Sequence, residues 1–147
     1  MQNQNIDALN DVTKTLIDSY KGYDKVCEIA DDSFALRGKF QSLAAERSDL
    51  IKAFQDQVKA YGGEPETSGG SGGSLHRAWA DFTSMFQNDQ KAALEAVEDG
   101  EEHLAKSARS KLENDGLDMA ARELLQRAEA SACYGEAFAD RAEDGVH

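Results

Sequence analysis

Tyr61-Gly62-Gly63-Glu64-Pro65-Glu66-Thr67-Ser68-Gly69-Gly70-Ser71-Gly72-Gly73-Ser74-Leu75-His76-Arg77-Ala78-Trp79 interrupts a chain that is otherwise patterned for helix. Six of the 12 glycines fall between Gly62 and Gly73, so this part predicts a flexible, non-helical connector over 62–73. Ser74 then suits the N-cap of a short amphipathic helix over 75–86, with Leu75, Ala78, Trp79, Phe82 and Phe86 on its apolar side. Such a helix spans roughly 20 Å at 1.5 Å per residue. The connector adds up to roughly 40 Å if extended. Together they reach the full length of a helical bundle, so the elements on either side need not be antiparallel neighbours.

Outward from this break, the helical period recurs four times. Ile6, Leu9, Thr13, Leu16, Tyr20, Tyr23, Cys27 and Ala30 alternate in steps of three and four and predict a helix over 6–30, with Asn5 as N-cap. Asp31-Asp32-Ser33 ends it and caps a second helix over 34–61, striped by Leu36, Phe40, Leu43, Arg47, Leu50, Phe54, Gln57 and Tyr61. A third long helix over 89–113 carries Leu94, Val97, Glu101, Leu104, Ala108 and Leu112, and Asn114-Asp115-Gly116 breaks it. The last, over 117–143, has a seam of small residues (Ala121, Ala128, Ser131, Gly135, Ala142) with Leu117, Leu124 and Phe138. The tail from Glu143 to His147 has no pattern and reads as frayed. Short, long and short connections predict one all-α domain over 1–147, a ferritin-like four-helix bundle with one long crossover carrying a short extra helix.

With 147 residues, 40% hydrophobic and 30% charged, the chain can bury a real core. A net charge of −12 repels nucleic-acid phosphates, so no nucleic-acid partner is expected. No apolar run approaches roughly 18 residues, so no membrane span is expected. The polar start lacks a signal-peptide pattern, which makes the cytoplasm the expected location. From Asn88 onward 15 acids face 7 bases, a balance of −8, against 10 and 8, or −2, up to Tyr61. The charge is thus concentrated where it favours solubility or a basic protein partner. Cys27 and Cys133 match no zinc or redox spacing and read as small buried apolar side chains.

The connector pieces Tyr61-Gly62-Gly63-Glu64-Pro65-Glu66-Thr67-Ser68-Gly69 and Ser74-Leu75-His76-Arg77-Ala78-Trp79-Ala80-Asp81 resemble those of an uncharacterised bacterial family, a domain of unknown function with a ferritin-like bundle. Leu9-Asn10 and the acidic run Glu98 to Glu102 extend the resemblance over nearly the whole chain. It implies the ferritin-like fold and no established activity, and it allows a link to stress physiology.

A ferritin-like bundle invites a search for a di-iron centre, which takes carboxylates from two helices and a Glu-x-x-His from each of the other two. The chain offers Glu46-x-x-Asp49 without histidine and Glu129-x-x-Ala132 without a second ligand. No cofactor is therefore expected, iron or another divalent metal being the alternative, with Glu46, Asp49, Glu98, Glu101 and Glu102 as candidate ligands. Asp99 and His103 are four apart and able to share a cation, although such runs commonly form a solvated face. Arg47 and Glu101 interrupt apolar stripes. A buried unpaired charge is very costly, so they are expected beside one another or beside Tyr20 and Tyr23, as a register-fixing pair. Trp79 and His76 are the expected anchors of the crossover helix. No catalytic group is identified. The leading expectation is a non-enzymatic bundle acting by self-association, as a dimer, or by binding a protein, with Phe34, Ile51, Met119 and Leu125 off the main stripes. The alternative is a metal-handling protein.

Overall fold

The computed structural model describes residues 2–29, 36–70 and 73–145, with backbone alone for 73–76. Five helices follow in order: α1 (Gln2–Ile29), α2 (Arg37–Ala60), α3 (Gly73–Met85), α4 (Gln90–Leu112) and α5 (Met119–Asp144). No strand occurs among the described residues. Among the described residues no helix is long and apolar enough to cross a membrane.

Local chemistry sets most of the ends. Asp89 caps α4 by accepting from the Ala92 N–H at 3.0 Å, and Asp118 caps α5 by accepting from Ala121 at 3.1 Å. α2 ends in a glycine motif: Gly62 adopts φ +85°, its N–H donates to Lys59, and the Gly63 N–H donates to Val58 at 2.9 Å. Only glycine takes that left-handed turn without strain. At the other end α1 is already helical at Gln2, so Asn5 is no N-cap. Asn5 is buried and accepts from the Asp118 backbone at 3.0 Å, tying α1 to the start of α5. The predicted Asp31-Asp32-Ser33 cap, Phe34 and His147 lie outside the described residues. Rather than fraying at Glu143, α5 continues to Asp144.

Side-chain contacts give the helix directions. Ile6 meets Gly63 and Tyr23 stacks on Phe40, so α1 and α2 are antiparallel. Asp11 pairs with Lys111 and Tyr23 bonds Glu101, so α1 and α4 are antiparallel. Tyr61 donates to Asp118 and Lys39 to Tyr134, so α2 and α5 are antiparallel. Hence α1 and α5 run one way and α2 and α4 the other, and the chain between α2 and α4 climbs back along the bundle.

That climb is strapped to α1, where a flexible connector was expected. Asn10 donates to the Glu64 carbonyl at 3.0 Å and accepts from the Glu66 N–H at 2.9 Å. Gln55 donates to the Glu66 carbonyl, and Asp18 accepts from the Gly70 N–H at 3.0 Å. Asn10 and Asp18 lie about 12 Å apart along their helix. The four residues from Glu66 to Gly70 span about 14 Å when extended, so little slack remains. α3 then packs against α1 and α4 and carries Trp79, 3% exposed, into the interior.

The apolar interior has two parts. The lower cluster includes Leu9, Val12, Leu16, Leu50, Phe54, Leu104 and Leu125. The upper one is aromatic, with Tyr23, Phe40, Trp79, Phe82, Phe86 and Phe138. On every long helix the switch between them falls at one level. Arg47 on α2, Glu101 on α4 and Ser131 on α5 lie at that level, each buried.

Candidate functional site

At this mid-bundle level the apolar stripes admit charge. Arg47 is the largest side chain sealed from solvent, and Glu101 is equally buried. The guanidinium meets the carboxylate in bidentate fashion, Nη1 to Oε1 at 2.7 Å and Nη2 to Oε2 at 2.6 Å. Nε donates to Ser131 Oγ at 3.0 Å, and Nη2 also reaches the Ser131 carbonyl at 3.2 Å. The Tyr23 hydroxyl donates to Glu101 Oε2 at 2.8 Å, and its ring lies 5.8 Å from the guanidinium carbon. Ser131 Oγ in turn donates to Glu46, whose side chain is exposed. A continuous hydrogen-bonded chain thus runs from the α2–α5 surface to Tyr23.

Burial governs the protonation of this layer. It pushes the Tyr23 phenol well above its ordinary value, and the negative Glu101 beside it adds to the rise. Burial also pushes the Glu101 carboxyl up, and the attraction of Arg47 pulls against that. Arg47 loses solvation, yet Glu101 more than compensates and its charged form is favoured. The layer is an ion pair whose carboxylate oxygens and four of whose five guanidinium N–H groups are consumed internally.

Two sequence features explain how it fits. Gly135 on α5 has no side chain because Glu101 occupies the space where a Cβ would stand. Just above, Trp79 lies between two glycines: a Cβ on Gly22 of α1 would come 2.9 Å from Cε3, and one on Gly100 of α4 would come 2.6 Å from Cε2. The indole Nε1 is buried and has no hydrogen-bond partner among the described residues. Its edge contacts with Tyr23 (5.2 Å between centroids) and Phe82 join α3 to the polar layer.

The expected site residues are therefore distributed unevenly. Arg47, Glu101 and Tyr23 come together, whereas Tyr20 is only partly buried and packs at the margin of the upper cluster. Trp79 anchors α3, and the His76 side chain lies outside the described residues. The candidate metal ligands do not converge: Glu101 is spent on Arg47 and Tyr23, Glu46 on Ser131, and Glu102 on Lys106 at 2.8 Å, while Asp49 stands on the surface. Glu98 belongs to a group that sequence did not reveal, with Asp140 and Glu143 of α5, their carboxylate oxygens within 4.8 Å of one another. Burial, and then the crowding by Glu143 and Asp140, push Glu98 up to about 7. Cys27 is buried but Cys133 is exposed, a departure from the expectation for both, and each is free. Of the described off-stripe residues, Leu125 is fully buried, Ile51 packs on the lower core, and Met119, at 85% exposure, stands on the surface.

Residues 4–114 match a family model described as a domain of unknown function, DUF2383. No curated protein and no solved structure matches the chain.

Proposed function

For this chain, which belongs to the DUF2383 family of unknown function, we propose a ferritin-like bundle that carries its own ion pair where a metal centre would lie and that acts without catalysis, through its surface. One observation carries this reading. The mid-bundle carboxylate Glu101 is taken up on both oxygens by Arg47, a permanent cation built into the chain. A guanidinium at that position does electrostatically what a metal cation would do, and it leaves no acidic ligand free there. The shared direction of α2 and α4, with the strapped climb between them, supports the ferritin-like assignment. Docking of a basic protein on the acidic α4–α5 side fits the surface charge, and self-association as a dimer is the alternative mode of surface action. A bacterial cytoplasmic setting and a role in stress physiology belong to the same reading.

A second reading has its own observation. Glu98, Asp140 and Glu143 gather three carboxylates at the α4–α5 edge, where metal handling would be located. One experiment separates the two. Protein purified without chelator is challenged with iron, manganese and zinc, dialysed, and analysed for metal content, with its mass measured by light scattering. The surface reading expects no stoichiometric metal and a mass about twice the 16.0 kDa monomer. Retained metal that disappears in the Glu98→Gln variant favours the second reading. A clean monomer at high concentration counts against self-association.

A further inference from the structure

Between α2 and α5 lies a surface cavity of about 440 Å³, within the range that small ligands occupy. Glu46, Asp49 and Leu50 form its α2 wall, and Arg127, Ser131 and Tyr134 its α5 wall. The charges are arranged by side. On α2, Glu46 and Asp49 are three residues apart and share a face. Glu46 is fixed by Ser131, which Arg47 holds at 3.0 Å. On α5, Arg127 lies one turn before Ser131 and so stands near the level of Asp49 on the antiparallel helix. Asp49 and Arg127 are opposite in charge, yet neither has an ion pair or hydrogen bond among the described residues. Leu50, 3% exposed, supplies an apolar floor.

We infer that this groove binds a small zwitterion, a molecule with an ammonium and a carboxylate joined by a short apolar body. The ammonium meets Glu46 and Asp49, the carboxylate meets Arg127, and the body lies over Leu50. Neither a plain amine nor a plain carboxylate satisfies both walls. The inference does not depend on the proposed surface role, since it concerns neither metal nor mass.

The test is a titration of the full chain with 6-aminohexanoate, followed by amide NMR shifts, with hexylammonium and hexanoate as single-charge controls. The expected result is saturable binding on the order of a millimolar. Shifts should be confined to residues 46–50 and 127–134. Asp49→Asn and Arg127→Gln remove exposed, unpaired charges, so the fold is retained and each weakens binding about tenfold. The inference is overturned if the zwitterion gives no saturable shifts, if either single-charge control binds as tightly, or if both variants bind unchanged.

Discussion

Taking a guanidinium and a carboxylate out of water costs several kcal/mol per ion, so the Arg47–Glu101 pair is held by geometry more than by charge. Four of the five guanidinium N–H donors have partners, and Glu101 accepts a further bond from Tyr23. Removing one member leaves the other buried and uncompensated. Glu101→Leu or Arg47→Met alone should cost about 3–5 kcal/mol, whereas the double variant should recover much of that loss. A double-mutant cycle by urea denaturation measures this, and additive losses would mean that the two residues act separately. Gly135→Ala makes a sharper test. Alanine favours helix over glycine by about 1 kcal/mol. Its methyl would enter the space of Glu101, and crowding a sealed core costs about 1–3 kcal/mol even before the ion pair is disturbed. The expected net effect is destabilisation, and a raised Tm would show that α5 gives way easily. Arg47 and Glu101 were legible in the sequence because charge in an apolar stripe stands out. Gly135 and Ser131 were not, because in a seam of small residues a glycine that admits a carboxylate looks like one that admits a neighbouring helix.

At the scale of elements, the crossover does more than span. Its helix was readable from the spacing of Ala78, Trp79, Phe82 and Phe86, three of which are at most 4% exposed. The strap on α1 was not readable. Asn10 and Asp18 are polar residues of α1 whose partners lie more than 50 positions away, and hydropathy carries no trace of such bonds. Asp18 even sits outside the apolar stripe, yet it is 5% exposed because the connector covers it. The glycines at positions 22 and 100 were equally silent, since each marks a notch only once Trp79 is placed between them. Gly100→Ala should therefore drive the indole from its seat and loosen α3 while the long helices keep their pairing. Tryptophan fluorescence should shift to the red and far-ultraviolet circular dichroism should barely change. An unshifted spectrum would mean that Trp79 is held by Phe82 and Tyr23 alone.

Over the whole molecule, the charge of −12 makes pH a stability variable, and the sign follows from the groups that titrate. Glu98 is raised from 4.5 to about 7, by burial first and then by its hydrogen bond with Glu143 and the charges of Glu143 and Asp140. Glu143 is raised too, by burial and by the charges of Glu95, Asp140 and Asp144. A carboxyl raised on folding binds its proton more tightly in the native state, so stability is fullest below its unfolded value and falls as pH rises through the folded one. Glu102, paired with Lys106, and Asp118, bonded by Tyr61, are lowered instead, and their contribution is lost only in more acid solution. Between about pH 5 and pH 8 the raised acids of the α4–α5 cluster dominate. Thermal unfolding should accordingly show a Tm that rises as pH is lowered from about 8 to about 6. Added salt should raise Tm at the upper end, where it screens the crowded carboxylates. Glu98→Gln, which keeps the shape and removes the charge, should raise Tm at the alkaline end and flatten the profile. If the slope survives that substitution, the general repulsion of an acidic surface, and not the α4–α5 cluster, sets the pH dependence.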